Sequence, residues 1–176
     1  MSEWTPQLQL QWISGYYHDG APPPVLRFNE YGDFAALVNN SPHRVVYRDA
    51  PYPTALHLFE ARKFLDHRPD LAERIRLCER VEWVTVISGQ LAGFTRRDWG
   101  SIGLSTMDEV LYLKFSQHAD LRALLLGTFP AELVYVEPTD PFWGDGAGIG
   151  MNELGRSLMR VREQLRVEGM GSMFPS

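Results

Sequence analysis

The sequence predicts an α+β fold, formed by a single compact and mainly helical domain with a few short strands. Apolar residues recur at helical spacing through most of the chain after Pro53. Short runs of β-branched or aromatic residues occur at only a few places, too few for an all-β protein. These runs do not alternate regularly with the helices, which argues against a doubly wound parallel sheet.

Composition narrows the class of protein further. The chain has 176 residues, of which 44% are hydrophobic and 22% charged, as in an ordinary globular domain with its own core. The formal charge is -5, which argues against extended wrapping of nucleic acid but leaves room for one nucleotide in a locally basic pocket. Cys78 is the only cysteine, so neither an internal disulfide nor a multi-cysteine metal site is expected, and no cofactor is predicted.

No apolar run is long enough to cross a bilayer, and the first ten residues do not resemble a signal peptide. The sequence therefore predicts a cytoplasmic protein without a membrane partner, with the nucleus as the alternative compartment.

Proline and glycine set the predicted domain bounds. Residues 1–24 end in three consecutive prolines, which cannot join a helix or a central strand, so this segment is predicted to be an extended leader. The domain is predicted over residues 25–168, and residues 169–176 are predicted to form a flexible tail. At the start of the domain, Val25–Phe28 and Val45–Arg48 have strand composition and could pair with each other.

Helical patterns begin after Pro53. Thr54 is a plausible N-cap for a first helix, and Pro69 could start a second one that continues from Leu71 to Leu77. The segment 81–90 is ambiguous, because its β-branched residues favour a strand whereas Gly89 would equally end a helix. Downstream, the pattern predicts the following elements: a helix from Met107 to Gln117, a short helix from Asp120 to Leu126, a strand from Leu133 to Val136 and a final helix from Asn152 to Val167.

The segment from Asp140 to Gly155 is the most informative part of the chain. It carries glycines at four alternate positions from Gly144 to Gly150, which let a backbone approach a ligand closely. It runs into a predicted helix whose first N–H groups would form an anion site. The residues alone leave a second interpretation open, in which the loop only turns a corner. The spacing fits neither a dinucleotide-binding nor a P-loop motif.

This segment resembles the C-terminal signature of the NADAR/YbiA-like family. The matching positions are Asp140, Trp143, Gly144, Gly148, Gly150, Asn152, Leu154, Gly155, Leu158, Met159 and Arg162. Three upstream segments also resemble the family, and they are Tyr52–Phe64, Arg97–Trp99 and Met107–Phe115. The four matches occur in the family's order and cover about residues 25–167.

The resemblance implies hydrolysis of an N-glycosidic bond in a ribose-phosphate compound. Substrates associated with the family are ADP-ribose attached to guanine and phosphoribosylamino-pyrimidine intermediates of riboflavin synthesis. The implied partner is therefore a small-molecule ribosyl-phosphate or ADP-ribosyl ligand, or ADP-ribosylated guanine within nucleic acid.

Cleavage of such a bond builds positive charge on the sugar, so the enzyme needs an anion or nucleophile near the anomeric carbon and a phosphate cradle. The resemblance implies Asp140 as the anion and Lys63 as the nucleophile or phosphate ligand, and helix geometry adds Glu60 as a further candidate catalytic carboxylate. It implies ligand-binding roles for Asn39, His57, Arg97, Trp99, Trp143, Gly144, Gly148 and Asn152. The helix after Thr54 and the loop 138–152 are expected to converge on one pocket, with Trp99 or Trp143 lining it.

Two departures from the family pattern bear on activity. Leu56 stands where the first family helix has a glutamate, and Tyr135 stands where a glutamate follows the family's Leu-Val strand. Glu60 lies one helical turn after Leu56, and Glu137 lies two residues after Tyr135, so either could supply the missing carboxylate. Two alternatives to the enzyme therefore stay open: a catalytically weakened protein that binds ADP-ribose or nucleotide ligands, and an interaction domain that keeps only the fold.

Overall fold

The computed structural model of the protein describes residues 22–171. Within that range the chain forms six α-helices and four β-strands, so the predicted α+β class, mainly helical with a few short strands, is confirmed. The helices are α1 (Ala55–Ala61), α2 (Pro69–Arg76), α3 (Val81–Gln90), α4 (Trp99–Gln117), α5 (Ala119–Gly127) and α6 (Glu153–Gly171). The strands are β1 (Val25–Phe28), β2 (Val45–Tyr47), β3 (Ala50–Tyr52) and β4 (Glu132–Tyr135). All of the predicted leader except Pro22–Pro24 lies outside the described residues.

The chain divides into two compact units. The first unit combines the described residues up to Val38 with those from His118 onward, and the second unit is Asn39–Gln117. No helix in the described part of the chain is long and apolar enough to span a bilayer.

The first unit is built on a parallel pair of strands. β1 pairs with β4 in register, with Leu26 opposite Leu133, and both side chains are buried. Helix α6 packs against β4 so closely that a Cβ on Gly155 would lie 2.1 Å from the Leu133 carbonyl oxygen. Only glycine fits at that position, which explains the Leu-Gly pair near the start of the helix.

The second unit begins with a tight hairpin. β2 and β3 pair antiparallel across Arg48 and Asp49, whose φ angles are 49° and 62°. Two positive φ angles are typical of the turn that best matches the twist of a two-residue hairpin. The prediction that the first two strands could pair with each other is therefore wrong. β2 pairs with β3 in the hairpin, whereas β1 pairs with β4, a strand that is distant in sequence and has a matching apolar face.

Four helices complete the second unit. The Thr54 hydroxyl accepts a hydrogen bond from the His57 N–H at 3.3 Å, so the predicted N-cap of α1 is present, and Pro69 occupies the first turn of α2 as expected. The ambiguous segment 81–90 is helix α3, in which Val84 and Ser88 are buried one turn apart. Helix α4 begins eight residues earlier than its apolar pattern indicates, because its first two turns are largely exposed.

Candidate functional site

A buried ion pair stands at the end of α1. Glu60 is only 5% exposed, and the Lys63 Nζ donates a hydrogen bond to its Oε2 at 2.6 Å. The same Nζ donates a longer bond to the Ser88 hydroxyl on α3, at 3.4 Å. A carboxylate removed from water and held beside a single amine can stabilise positive charge or move a proton more effectively than one in bulk solvent.

Two aromatic rings lie close to the Lys63 ammonium group. Its Nζ lies 5.6 Å from the centroid of the Trp99 ring and 5.8 Å from that of Phe59, within the range of a cation–π contact. The two rings are 5.2 Å apart and tilted by 57°. Trp99 is half-buried at the first residue of α4, so part of this residue is accessible to solvent.

His57 forms a hydrogen bond at each nitrogen of its ring. Its Nδ1 pairs with the Thr54 hydroxyl at 2.8 Å, and its Nε2 donates to the Cys78 carbonyl at 2.9 Å. Burial lowers the pKa of His57, and the bond to the Cys78 carbonyl opposes that shift. The ring is thus a neutral tether between α1 and the segment that follows α2.

Asn39 and Leu56 are linked through their backbones. The Asn39 carbonyl accepts a hydrogen bond from the Leu56 N–H at 2.8 Å, which satisfies one of the open donors in the first turn of α1. Leu56 is half-buried and carries no polar group, while Glu60 is the buried carboxylate one turn further along. The second unit therefore contains one acid on this stretch of α1, at position 60 rather than 56. Arg97 also lies in this unit, on an exposed segment before α4.

In the first unit, the carboxylate of Asp140 is engaged by its own loop. Its Oδ1 accepts hydrogen bonds from the Phe142 N–H at 2.9 Å and the Trp143 N–H at 2.8 Å. This is the local turn geometry that aspartate typically stabilises. The Glu137 Oε1 is used in the same way, since it accepts from the Thr139 N–H at 3.0 Å and from the Thr139 hydroxyl at 2.6 Å.

The prediction of an anion site at the start of α6 is wrong. The first N–H groups there already donate to carbonyl oxygens of the Gly-rich loop: Met151 to Pro141, Asn152 to Gly144, Glu153 to Phe142 and Leu154 to Trp143. These bonds are 2.7–3.1 Å long. Because the loop folds back over the helix start, no backbone donor of residues 151–154 is left for an anion.

Asn152 fixes this loop to the strand beside it. Its Oδ1 accepts from the Tyr135 N–H at 2.9 Å, and its Nδ2 donates to the Leu133 carbonyl at 2.8 Å. The side-chain amide thus replaces a neighbouring strand at the edge of β4. Its φ of 52° is one that asparagine tolerates better than most residues.

The remaining predicted residues of the loop are placed as follows. Trp143 is half-buried and meets Phe142 edge-on, with centroids 5.0 Å apart. Gly144 is buried where a Cβ would lie 2.6 Å from the Glu137 Cβ, so it is needed for close backbone packing. Gly148 is exposed, with a φ of 95° and open space around it.

Three residues that lie in these two regions were not among the predicted site residues. Ser88 was hidden by the ambiguity of segment 81–90, and a helical interpretation would have placed it one turn after the buried Val84. Phe59 carried no polar signal. Asp145 is 7% exposed and pairs with Arg27, while its Oδ1 has no hydrogen-bond partner among residues 22–171. The structure thus brings Glu60, Lys63 and Trp99 together in the second unit, and Asp140, Trp143 and Asn152 in the first. Convergence of the two sets on one pocket stays a prediction.

Comparison with known proteins gives consistent relatives. The chain is 39% identical over 141 residues to N-glycosidase YbiA of Escherichia coli K12, covering 80% of this chain and 85% of that protein. It is 36% identical over 138 residues to an N-glycosidase of Nostoc punctiforme, covering 77% and 86% of the two chains. It is also 33% identical over 144 residues to a riboflavin biosynthesis protein of Vibrio vulnificus, covering 81% of this chain and 39% of that longer protein.

The fold agrees with these relatives. The structure superposes on the NMR structure of Escherichia coli YbiA with a TM-score of 0.74 and 34% identity, covering 90% of this chain and 94% of that one. The model of the NADAR domain family matches residues 16–166. The resemblance seen in the sequence is confirmed, and the chain belongs to the NADAR domain family.

Proposed function

We propose that the protein is an N-glycosidase, a hydrolase that cleaves the N-glycosidic bond of an ADP-ribosyl-guanine or phosphoribosylamino-pyrimidine type of compound. The observation that carries the proposal is the buried Glu60–Lys63 pair beside the rings of Phe59 and Trp99. Support also comes from the relatives, two of which are named N-glycosidases.

Glu60 supplies the negative charge that the reaction needs. When the bond to the base breaks, positive charge develops on the ribose ring, and a carboxylate shielded from water stabilises it strongly. The same carboxylate can take a proton from the water that attacks the anomeric carbon. Glu60 thereby occupies the role that the family's glutamate at position 56 would otherwise fill.

Lys63 has two chemically distinct roles available. As an ammonium group it donates a hydrogen bond to the Glu60 carboxylate and binds a phosphate oxygen of the substrate. As a neutral amine, after passing its proton to Glu60, it attacks the anomeric carbon while the base leaves with the bonding electrons and picks up that proton. The C1–O4 bond of this lysine adduct then breaks as the ring oxygen takes a proton from the lysine nitrogen, which gives a ring-opened imine. Water hydrolyses the imine, which releases the sugar phosphate and restores the amine.

Trp99 provides a surface for the flat base or sugar. Stacking of a base on an aromatic ring contributes about 1–3 kcal/mol by alanine substitution. Since the ring also contacts the Lys63 ammonium group, a ligand stacked there would have its reactive bond close to the ion pair.

A second candidate function is a protein that binds such ligands with little catalysis. The observation in its favour is Leu56, an apolar and half-buried side chain where the family pattern has a carboxylate. Restoring the acid with Leu56→Glu should then raise the hydrolysis rate by about tenfold or more, equivalent to about 1.4 kcal/mol of transition-state stabilisation.

The test is a double-mutant cycle on the ion pair. Glu60→Gln and Lys63→Met should each lower kcat by about 10²–10⁴-fold on an ADP-ribosylated guanine oligonucleotide or on a phosphoribosylamino-pyrimidine. If the two side chains act as one unit, the double variant should be no slower than the slower single variant. Trapping with borohydride separates the two roles of Lys63, because only an imine is reduced to a stable adduct.

Glu73→Gln is the matched control. Glu73 also pairs with a cation three residues later, Arg76, but on the exposed surface of α2, so its loss should leave kcat unchanged. Ligand binding without hydrolysis by the native protein or by Leu56→Glu would favour the binding protein. Neither binding nor hydrolysis would mean that the chain shares the family's fold alone.

A further inference from the structure

A cleft of about 520 Å³ lies on the second unit, and its lining is hydrogen-bonded to the backbone of Lys63 and Trp99. Its walls are two segments, residues 66–68 after α1 and residues 93–98 before α4. The Arg96 N–H donates to the Lys63 carbonyl at 3.0 Å, and the Trp99 N–H donates to the Arg96 carbonyl at 3.2 Å. The wall of the cleft is therefore anchored to the backbone of both Lys63 and Trp99.

Most charges in the cleft are already compensated. The Arg96 guanidinium group donates two hydrogen bonds to Asp98, at 2.6 and 3.0 Å, and one to Asp66 at 3.1 Å. Asp66 also pairs with Arg48 at 2.9 Å. Hydrogen bonds from Arg48 and Arg96 hold the pKa values of Asp66 and Asp98, respectively, below their usual range, so both carboxylates stay ionised within these pairs.

Arg97 is the exception. Its side chain is exposed in the cleft and, among residues 22–171, it has neither an ion-pair nor a hydrogen-bond partner. A guanidinium group presents a rigid fork of donors that suits phosphate oxygens. The cleft thus has one surplus positive charge, carried by the residue type best suited to a phosphate.

An aromatic ring stands beside this charge. Phe94 is 50% exposed, and the guanidinium group of Arg68 lies 4.7 Å from its ring centroid. Arg68 is itself held by Asp70 at 2.7 Å, so the planar group is fixed in place. A flat heterocycle can stack on the ring or on the guanidinium plane.

We propose that this cleft is a subsite for a second nucleotide unit, with Arg97 binding a phosphate and the Phe94–Arg68 platform stacking a base. The inference rests on the proposed function and narrows its substrate class to compounds larger than a single phosphoribosyl group. A lone phosphate would leave the aromatic platform unused, and a purely apolar ligand would leave Arg97 unpaired. The second unit could belong to a dinucleotide such as ADP-ribose or to a flanking nucleotide of a single strand.

Calorimetric titration of the full chain tests the subsite with three probes: ribose 5-phosphate, ADP-ribose and a single-stranded tetranucleotide. Arg97→Ala and Phe94→Ala should each weaken the binding of ADP-ribose, of the tetranucleotide or of both by about 5–10-fold. The ratio of their dissociation constants to that of ribose 5-phosphate should change by the same factor. Whichever of the two larger probes responds identifies the source of the second nucleotide.

Arg74→Ala is the charge-matched control, because Arg74 is an exposed arginine on α2 outside the cleft. It should leave all three affinities unchanged. The proposal is overturned if the cleft variants weaken the binding of ribose 5-phosphate as much as that of the larger probes, or if they weaken the binding of none of the three. Binding effects as expected without any hydrolysis would mean that the proposed enzymatic activity fails while the subsite stands.

Discussion

The end of α1 and the Gly-rich loop before α6 carry similar signals in the sequence, yet their polar groups are used differently. At the end of α1, the Glu60 carboxylate and the Lys63 ammonium group bond mainly to each other, and both are largely buried. In the loop, the side chains of Asp140 and Asn152 form their hydrogen bonds with nearby backbone groups. The difference teaches that polar residues at family positions can mark either chemistry or architecture, and that their hydrogen-bond partners separate the two.

The same comparison explains the glycines. In the loop, the first donors of α6 bond to carbonyls of residues 141–144, and this fold-back requires a chain that approaches itself closely at Gly144. A side chain there would collide with Glu137. The backbone hydrogen bonds of the loop therefore hold α6 and β4 together, whereas the end of α1 carries a charge pair beside two aromatic rings.

Asn152→Ala gives the largest expected effect within the loop. It removes two hydrogen bonds to the edge of β4 and places alanine at a φ of 52°, where a Cβ is strained. The unfolding free energy should fall by about 2–4 kcal/mol, which urea denaturation would measure.

Asn152→Gly separates the two causes, because glycine accepts the positive φ but makes no side-chain bond. It should cost about 1–3 kcal/mol, from the two unpaired backbone groups. If both variants keep full stability but lose ligand affinity, Asn152 binds the ligand and the contrast between the two regions collapses.

How far the sequence predicts this fold depends on the range of the interactions. Local signals succeed: the cap at Thr54, the proline at the start of α2 and the apolar stripe of α4 all specify helices correctly. The partner of β1 was missed because β4 lies more than a hundred residues away, and no local pattern distinguishes it from the nearer β2. The start of α4 was missed because exposed turns carry no apolar periodicity.

For the candidate site, the sequence predicts Lys63 and Trp99 through the family resemblance, and Glu60 through helix geometry. It could not show that His57 serves as a tether or that Asn152 borders a strand, since both roles depend on carbonyl groups distant in sequence. Hydrogen-bond partners of this kind follow from the fold and leave no spacing rule.

A second buried lysine sharpens the contrast within the second unit. Lys114 is fully buried on α4 and donates to the Ser41 hydroxyl at 2.6 Å, and burial lowers its pKa to about 7. The amine is therefore less readily protonated in the folded chain than in the unfolded chain. Between about pH 7 and 10.5 the unfolded state binds more protons, so the unfolding free energy should rise with pH.

From pH 7.5 to 9 the rise should be about 1–2 kcal/mol, measured by urea denaturation at a series of pH values. Lys114→Met removes the titrating group and should flatten the profile by that amount. An identical slope in the variant would mean that Lys114 does not contribute to the pH dependence of the unfolding free energy.

Asp140→Asn has the smallest expected effect and tests the comparison most directly. Asparagine keeps an oxygen that can accept from the Phe142 and Trp143 N–H groups, so the turn should survive and the unfolding free energy should change by less than about 1 kcal/mol. If Asp140 only builds the loop, kcat should stay within about threefold of the native value. Asp140→Ala, which removes the acceptor, should instead cost about 1–2 kcal/mol of stability. A fall in kcat of more than about a hundredfold in the asparagine variant, with stability intact, would show that the charge of Asp140 acts on the sugar. The loop would then hold a catalytic group in addition to its architectural ones.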